Sequence, residues 1–177
     1  MKVVILAGGF GSRLSEYTDL IPKPMVTIGG IPILHHIMNF YSQYGFNEFI
    51  IALGYKSKII KEYFLNYSTL NSDFTVDFSN NKIIPIHKNN LNWKVSLIDT
   101  GLNTKTGGRL KKLNHLLKKE TFMLTYGDGL SDVNLNSLLR FHKNSKKLVT
   151  ITAVRPLARF GELSINQNNE VISFKEK

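Results

Sequence analysis

The 177-residue chain contains no cysteine. That excludes disulfides, thiolate metal sites, iron–sulfur clusters and cysteine nucleophiles. It also lacks any apolar run close to the roughly 18 residues that a membrane helix needs. The opening MKVVILAGG meets its glycines too early for a secretory signal. A cytoplasmic protein with no membrane partner is expected. Acidic residues are scarce, 13 against 23 lysines and arginines, which leaves a formal net charge of +10. Such an excess invites a polyanion: nucleic acid, an acidic surface, or a small substrate carrying several phosphates. Much of it falls in short patches, Lys111, Lys112, Lys118 and Lys119, then Lys143, Lys146 and Lys147, for which a solvated helical face is the ordinary account. There is one tryptophan and no run of arginines interleaved with aromatics to stack bases, so no nucleic-acid partner is expected.

What is present suits a single domain over residues 1–177. The chain is 42% hydrophobic, with no linker or low-complexity tract. Residues 2–7 form an unbroken apolar stretch, the pattern of a strand covered on both faces. The spacing of Ile33, Ile37, Phe40, Tyr41 and Tyr44 predicts a helix that Gly45 stops. EFIIALGY (48–55) reads as a second buried strand and 56–67 as a second helix. FTVDF and KIIPIHK read as a hairpin on a sheet edge, since Pro85 cannot serve a central strand. KVSLIDTG and TFMLTYGDG are further strands, separated by a helix over GGRLKKLNHLLKK. Then come a helix over VNLNSLLRFHKNS, a strand over LVTITAV and a hairpin over 162–177. Alternating strand and helix predicts an α/β fold: a Rossmann-like, doubly wound, mixed but mainly parallel sheet flanked by helices. In such sheets ligands lie beyond the carboxyl ends of the strands, where Gly8, Thr100 and Asp128 fall.

Four short stretches carry chemistry. Gly8, Gly9 and Gly11 follow the first strand and let successive backbone N–H groups approach a phosphate. The loop lacks the Gly-Lys-Ser/Thr ending of a Walker loop, and Leu14 stands where a dinucleotide fingerprint needs glycine. Arg13 offers a planar fork suited to a di- or triphosphate. A plain strand-to-loop turn explains the glycines equally well. In IPKPM, prolines on both sides are expected to hold Lys23 extended and aimed at an anion. In YGDG, Asp128 sits at a strand tip where a carboxylate can hold Mg²⁺ against substrate phosphates, although an aspartate in a turn is unremarkable. TKTGGRL is a second glycine loop entering a helix, and a cation in that first turn opposes the helix dipole, so Arg109 reads as an anion or base contact. The histidines show no metal-ligand spacing, and they and Trp93 read as packing residues.

LAGGFGSRL, PKPM, GGIPIL, DTG with TGGRLK, TYGDG, RFGEL and the terminal FKEK, in that order, resemble the sugar nucleotidyltransferase family. TGGRLK after DTG is similar to its cytidylyl branch. The resemblance implies the nucleotide-diphospho-sugar transferase fold and a reaction of CTP with glucose 1-phosphate giving a nucleotide sugar and pyrophosphate. It places that reaction in cell-surface polysaccharide synthesis, such as that of lipopolysaccharide O-antigen. It implies that Leu6, Ala7, Gly8, Gly9, Phe10, Gly11, Ser12 and Arg13 bind the nucleotide and that Lys23 neutralises charge near the α-phosphate. Thr104, Thr106, Gly107, Gly108 and Arg109 then form a base and nucleotide loop, Asp128 is the Mg²⁺ ligand, and Lys177 meets the sugar phosphate. Arg13, Lys23 and Asp128 would be the catalytic set. The family continues past the point where this chain stops, with more of the sugar pocket, a second metal-binding aspartate and oligomer contacts. The chain is therefore expected to be the N-terminal two thirds of a homo-oligomeric enzyme. A dTTP- or UTP-using transferase, or a non-catalytic nucleotide-binding module, remain as alternatives.

Overall fold

The computed structural model describes residues 1–11, 20–86, 91–117, 120–154, 162–168 and 170–175. The chain divides into two compact units, Met1–Leu135 and Asn136–Lys177.

The first unit is built on a four-stranded parallel sheet. Its strands are β1 (Lys2–Ala7), β4 (Glu48–Leu53), β7 (Lys94–Asp99) and β8 (Met123–Tyr126), in the order β7-β4-β1-β8. A two-residue ladder, β2 (Thr27–Ile28) with β3 (Ile31–Pro32), precedes helix α1 (Ile33–Gln43). Helix α2 (Ser57–Leu70) links β4 to β7, and helices α3 (Thr106–Lys112) and α4 (Asn114–Leu117) link β7 to β8. The continuous apolar pattern of β1 is explained by its position. Val3 faces Phe49 on one side and Met123 on the other, and Leu6 lies between Ala52 and Tyr126. Val3, Val4 and Ile5 are fully buried.

The two faces of the sheet separate by the alternation of a strand. Val4, Leu6, Ile50 and Ala52 pack with Leu113 and Leu117 of the α3–α4 segment. Val3, Ile5, Phe49 and Ile51 take the opposite face, where Phe49 meets Trp93 and the Trp93 ring meets His35 of α1. Burying each such side chain contributes about 1.5–3 kcal/mol, so helix and sheet are held chiefly by this core. β1, β4 and β7 step outward in one direction, and the chain then returns to place β8 on the other side of β1.

The structure differs from the sequence reading at three elements. The hairpin β5 (Phe74–Asp77) with β6 (Lys82–Pro85) is a separate two-stranded sheet, paired with itself and not with an edge of the central one. Its turn is held by the Asp77 carboxylate, which accepts from the N–H groups of Ser79 and Asn80 and from their side chains; these bonds hold its pKa down at about 2. The helix expected over 107–119 breaks at Leu113 into α3 and α4. Residues 148–154, expected as a strand, lie in no ladder: their β-branched composition favours a pleated, half-buried surface, and here Val149, Ile151 and Val154 are exposed.

In the second unit, α5 (Leu135–Ser145, beginning at the last residue of the first unit) is followed by the antiparallel hairpin of β9 (Glu162–Ile165) and β10 (Val171–Lys175). Its asparagine turn is closed by Asn166 Oδ1, which accepts from the N–H groups of Asn168 and Glu170.

His35 is a packed core residue. It is buried against Tyr67 and Trp93, and its Nδ1 lies 2.8 Å from the Tyr63 hydroxyl. Burial raises the Tyr63 pKa to about 12, so the phenol stays protonated. Burial, with His36 adding to it, lowers the His35 pKa from 6.5. An unfolded chain therefore binds the proton more readily than the folded one, and this contribution to stability is intact above pH 6.5 and lost as pH falls below it. Urea unfolding between pH 7.5 and 5.5 is expected to show that decline, and the His35→Gln variant a flatter one across the same window.

Candidate functional site

The carboxyl ends of β1 and β8 face one cleft of about 430 Å³. It lies where the strand order reverses, the place in an open α/β sheet where adjacent crossovers run to opposite faces and leave a crevice. Four pieces of chain form its walls: Leu6–Gly9 with Gly11, Lys23–Pro24, Thr104–Thr106 with Arg109, and Tyr126–Asp128.

The PKP and YGDG stretches explain one another. Pro24 is buried, and a Cβ on Gly127 would stand 2.9 Å from its ring. The Gly127 N–H donates to Leu6 O at 2.9 Å, continuing the β1–β8 ladder past the last strand residue. Glycine thus lets the proline ring press on the strand exit, and this brings Lys23 beside Asp128. The Lys23 Nζ and Asp128 Oδ2 are 2.6 Å apart, with each side chain about one third exposed. Lys23 itself is not extended as expected: Pro22 is (φ −69°, ψ 144°), and Lys23 opens a 3₁₀ turn, Lys23–Met25, closed by the Met25 N–H on Pro22 O. Pro24 fits this turn because its missing N–H is not needed there.

Arg109 is held by backbone carbonyls and a threonine hydroxyl of its own chain. Although it borders the cleft, it is buried, and its terminal nitrogens donate to the carbonyls of Gly8, Leu53, Gly101 and Leu102 and to the Thr100 hydroxyl. The helix carrying it ends its first turn over three strand exits, whose carbonyl oxygens supply the negative charge that the helix dipole does not. Burial lowers its pKa, and Asp99 opposes that shift.

Of the other residues singled out from sequence, Leu6, Ala7, Gly8, Gly9, Gly11, Thr104, Thr106 and Asp128 line the cleft. Phe10 is half-exposed and lies against Tyr55, with ring centroids 5.3 Å apart. Gly107 and Gly108 open α3; a Cβ on Gly108 would stand 2.8 Å from Thr104 Cγ2, so this glycine gives room to a wall residue. Ser12, Arg13 and Lys177 lie outside the described residues. Lys105 and Tyr126 also line the cleft and were not singled out; their adjacency to the glycine loop and to YGDG was the available signal.

No group of three or more His, Cys, Asp or Glu side chains suited to a metal occurs among the described residues. Asp128 is the one carboxylate on the cleft wall there. That fits Mg²⁺ in the mode in which one or two carboxylates and the substrate's phosphates share its coordination, and it does not fit a cage made of protein alone.

Residues 2–177 match the family model described as nucleotidyl transferase. The chain belongs to the nucleotidyl transferase family. Over its whole length it is 51% identical to the glucose-1-phosphate cytidylyltransferase of Salmonella typhi and 43% identical to the probable glucose-1-phosphate cytidylyltransferase of Bacillus subtilis, and it covers 69% of each. The crystal structure of HddC from Yersinia pseudotuberculosis is similar at 27% identity with a TM-score of 0.61, over 99% of this chain and 69% of that one. A putative glucose-1-phosphate thymidylyltransferase from Bacillus anthracis, at 20% identity, shares the fold (TM-score 0.65, over 99% of this chain and 64% of that one).

Because the Lys23–Asp128 pair in this transferase is partly exposed, it contributes little to stability, about 0–1 kcal/mol for pairs of this kind. Asp128→Asn is expected to shift the urea-unfolding free energy by less than about 1 kcal/mol while leaving the far-UV circular dichroism unchanged.

Proposed function

We propose that this nucleotidyl transferase moves a cytidylyl group from CTP to glucose 1-phosphate, giving CDP-glucose and pyrophosphate. The observation that carries the reading is the meeting, in one cleft, of the glycine-rich exit of β1, the Lys23 ammonium and the Asp128 carboxylate. The 51% identity to a named glucose-1-phosphate cytidylyltransferase supports the choice of base and sugar.

A phosphate oxygen of glucose 1-phosphate attacks the α-phosphorus of CTP, a new P–O bond forms, and the bond to the β-phosphate oxygen breaks with its electron pair leaving on pyrophosphate. No covalent enzyme intermediate is needed. The protein contributes alignment and charge compensation. In this reading Gly8, Gly9 and Gly11 present backbone amides to the triphosphate, and Arg13 holds the departing pyrophosphate. Lys23 takes the charge near the α-phosphate. Thr104 and Thr106 border the nucleotide, and Lys177 meets the sugar phosphate. Asp128 would hold Mg²⁺, which, when bound, neutralises phosphate oxygens as a Lewis acid. Because the family match runs through both units, we assign them to one nucleotidyltransferase domain. The same reading makes the protein a cytoplasmic, homo-oligomeric enzyme of surface-polysaccharide synthesis, with no nucleic-acid or membrane partner. No helix among the described residues is long and apolar enough to cross a membrane.

The test is pyrophosphate release with glucose 1-phosphate and Mg²⁺, with CTP, UTP, dTTP and GTP supplied separately. CTP is expected to give the fastest release. Equal rates with all four would overturn the cytidylyl assignment, and CTP binding without release would favour a non-catalytic module. Asp128→Asn is expected to abolish turnover with the fold intact. Arg13→Ala is expected to weaken CTP binding about tenfold or more, the loss of a charge-assisted contact worth roughly 1.5–3 kcal/mol, read by calorimetric titration.

A further inference from the structure

We propose that Arg109 is a positioning residue: its guanidinium ties the exits of β1, β4 and β7 into one rigid rim beside the cleft, and Gly54, which is not part of the cleft wall, is the residue that makes room for it. The proposal deepens the nucleotide-site reading and rests on it for its functional consequence.

The geometry is specific to a planar cation. Nη1 donates toward Leu53 O at 2.9 Å, Thr100 Oγ1 at 2.6 Å and Gly101 O at 2.8 Å, and Nη2 toward Gly8 O at 2.8 Å and Leu102 O at 3.2 Å. These acceptors belong to three different strand exits, the farthest 101 residues away in sequence. The rim has further cross-ties. Thr100 is fully buried and its hydroxyl donates to Leu53 O, the Tyr55 N–H donates to Gly8 O, and Lys112 Nζ donates to Thr100 O. An ammonium in place of the guanidinium would offer its protons from one point and could not reach across this span in a plane.

Two glycines show that the space is reserved. A Cβ on Gly54 would fall 2.6 Å from Nη1 and 2.7 Å from Gly8 O, and a Cβ on Gly8 would run into the same guanidinium. Gly8 borders the cleft, so its lack of a side chain has two explanations. Gly54 does not, so the guanidinium and the Gly8 carbonyl beside it are its explanation. The consequence for the site follows from peptide planarity. In a trans peptide the C=O and the following N–H point in opposite directions. With Gly8 O drawn toward Nη2, the Gly9 N–H is fixed facing away from it, before any ligand arrives. Arg109 thus sets the direction of a phosphate-binding amide without touching phosphate.

The experiment compares the unmodified 177-residue chain with Gly54→Ala, Arg109→Lys, Thr100→Val and Thr100→Ser. Two quantities are measured: amide hydrogen exchange of the ligand-free protein, and the dissociation constant for CTP with Mg²⁺. Gly54→Ala, Arg109→Lys and Thr100→Val are expected to accelerate exchange about tenfold or more, together, in residues 8–11, 54–56 and 101–104, with Ile5 and Ile51 unchanged. They are expected to weaken CTP about tenfold. Thr100→Ser, which keeps the hydroxyl, is expected to match the parent in both, and this pair supplies the answer should Gly54→Ala not fold. The proposal is overturned if exchange in the three segments is unchanged in Gly54→Ala and Thr100→Val, or changes in one segment alone. It is also overturned if Arg109→Lys weakens CTP while Gly54→Ala and Thr100→Val, both folded, bind it as the parent does, because that result identifies a direct ligand contact. A parent chain that binds none of the four nucleoside triphosphates would refute the nucleotide reading, while the coupled exchange would still decide the role of Arg109 in the rim.

Discussion

The structure depends on β1 having a parallel neighbour on each side. A parallel sheet sends the carboxyl ends of its strands to one edge, and a strand order that reverses at β1 opens a crevice there. Residues 8, 23, 104 and 128 are far apart in sequence and adjacent in space for that reason alone. The apolar pattern of β1 and β4 secures it, since a strand buried on both faces must have helices above and below. A polar residue in Val3–Ile5 would damage the site by loosening the sheet, with no contact to a ligand.

On that frame, the local chemistry is set by where side chains are missing. Gly127 admits the ring of Pro24, and Gly54 and Gly8 admit the Arg109 guanidinium. Each close approach replaces what a longer loop would do less rigidly. The buried cation is tolerated because carbonyl and hydroxyl oxygens at the strand exits surround it, so hydrogen bonds to a charged donor offset its desolvation.

The sequence was informative wherever one residue's surroundings followed from its neighbours in the chain. The continuous apolar run of residues 3–7, the helix ending at Gly45, and the placement of Gly8, Thr100 and Asp128 at strand ends were all legible, and the family resemblance is confirmed by the match over residues 2–177. What was not legible depended on distant partners. The hydrogen-bond partners of Arg109 come from residues 8, 53 and 100–102, which its own helix sequence does not reveal. Residues 148–154 have strand composition but join no ladder, which composition cannot express. Lys23 lies in a turn rather than an extended segment because Met25 reaches back to Pro22, a bond that the proline pattern alone does not specify.

The 2.6 Å contact between Lys23 and Asp128 has a consequence for the electrostatics of the cleft wall. Each charge has its counterion beside it, so the two together add nothing to the net charge of the wall. Neutralising either member alone would change that sum by one unit, whereas exchanging the two residues would leave it as it is.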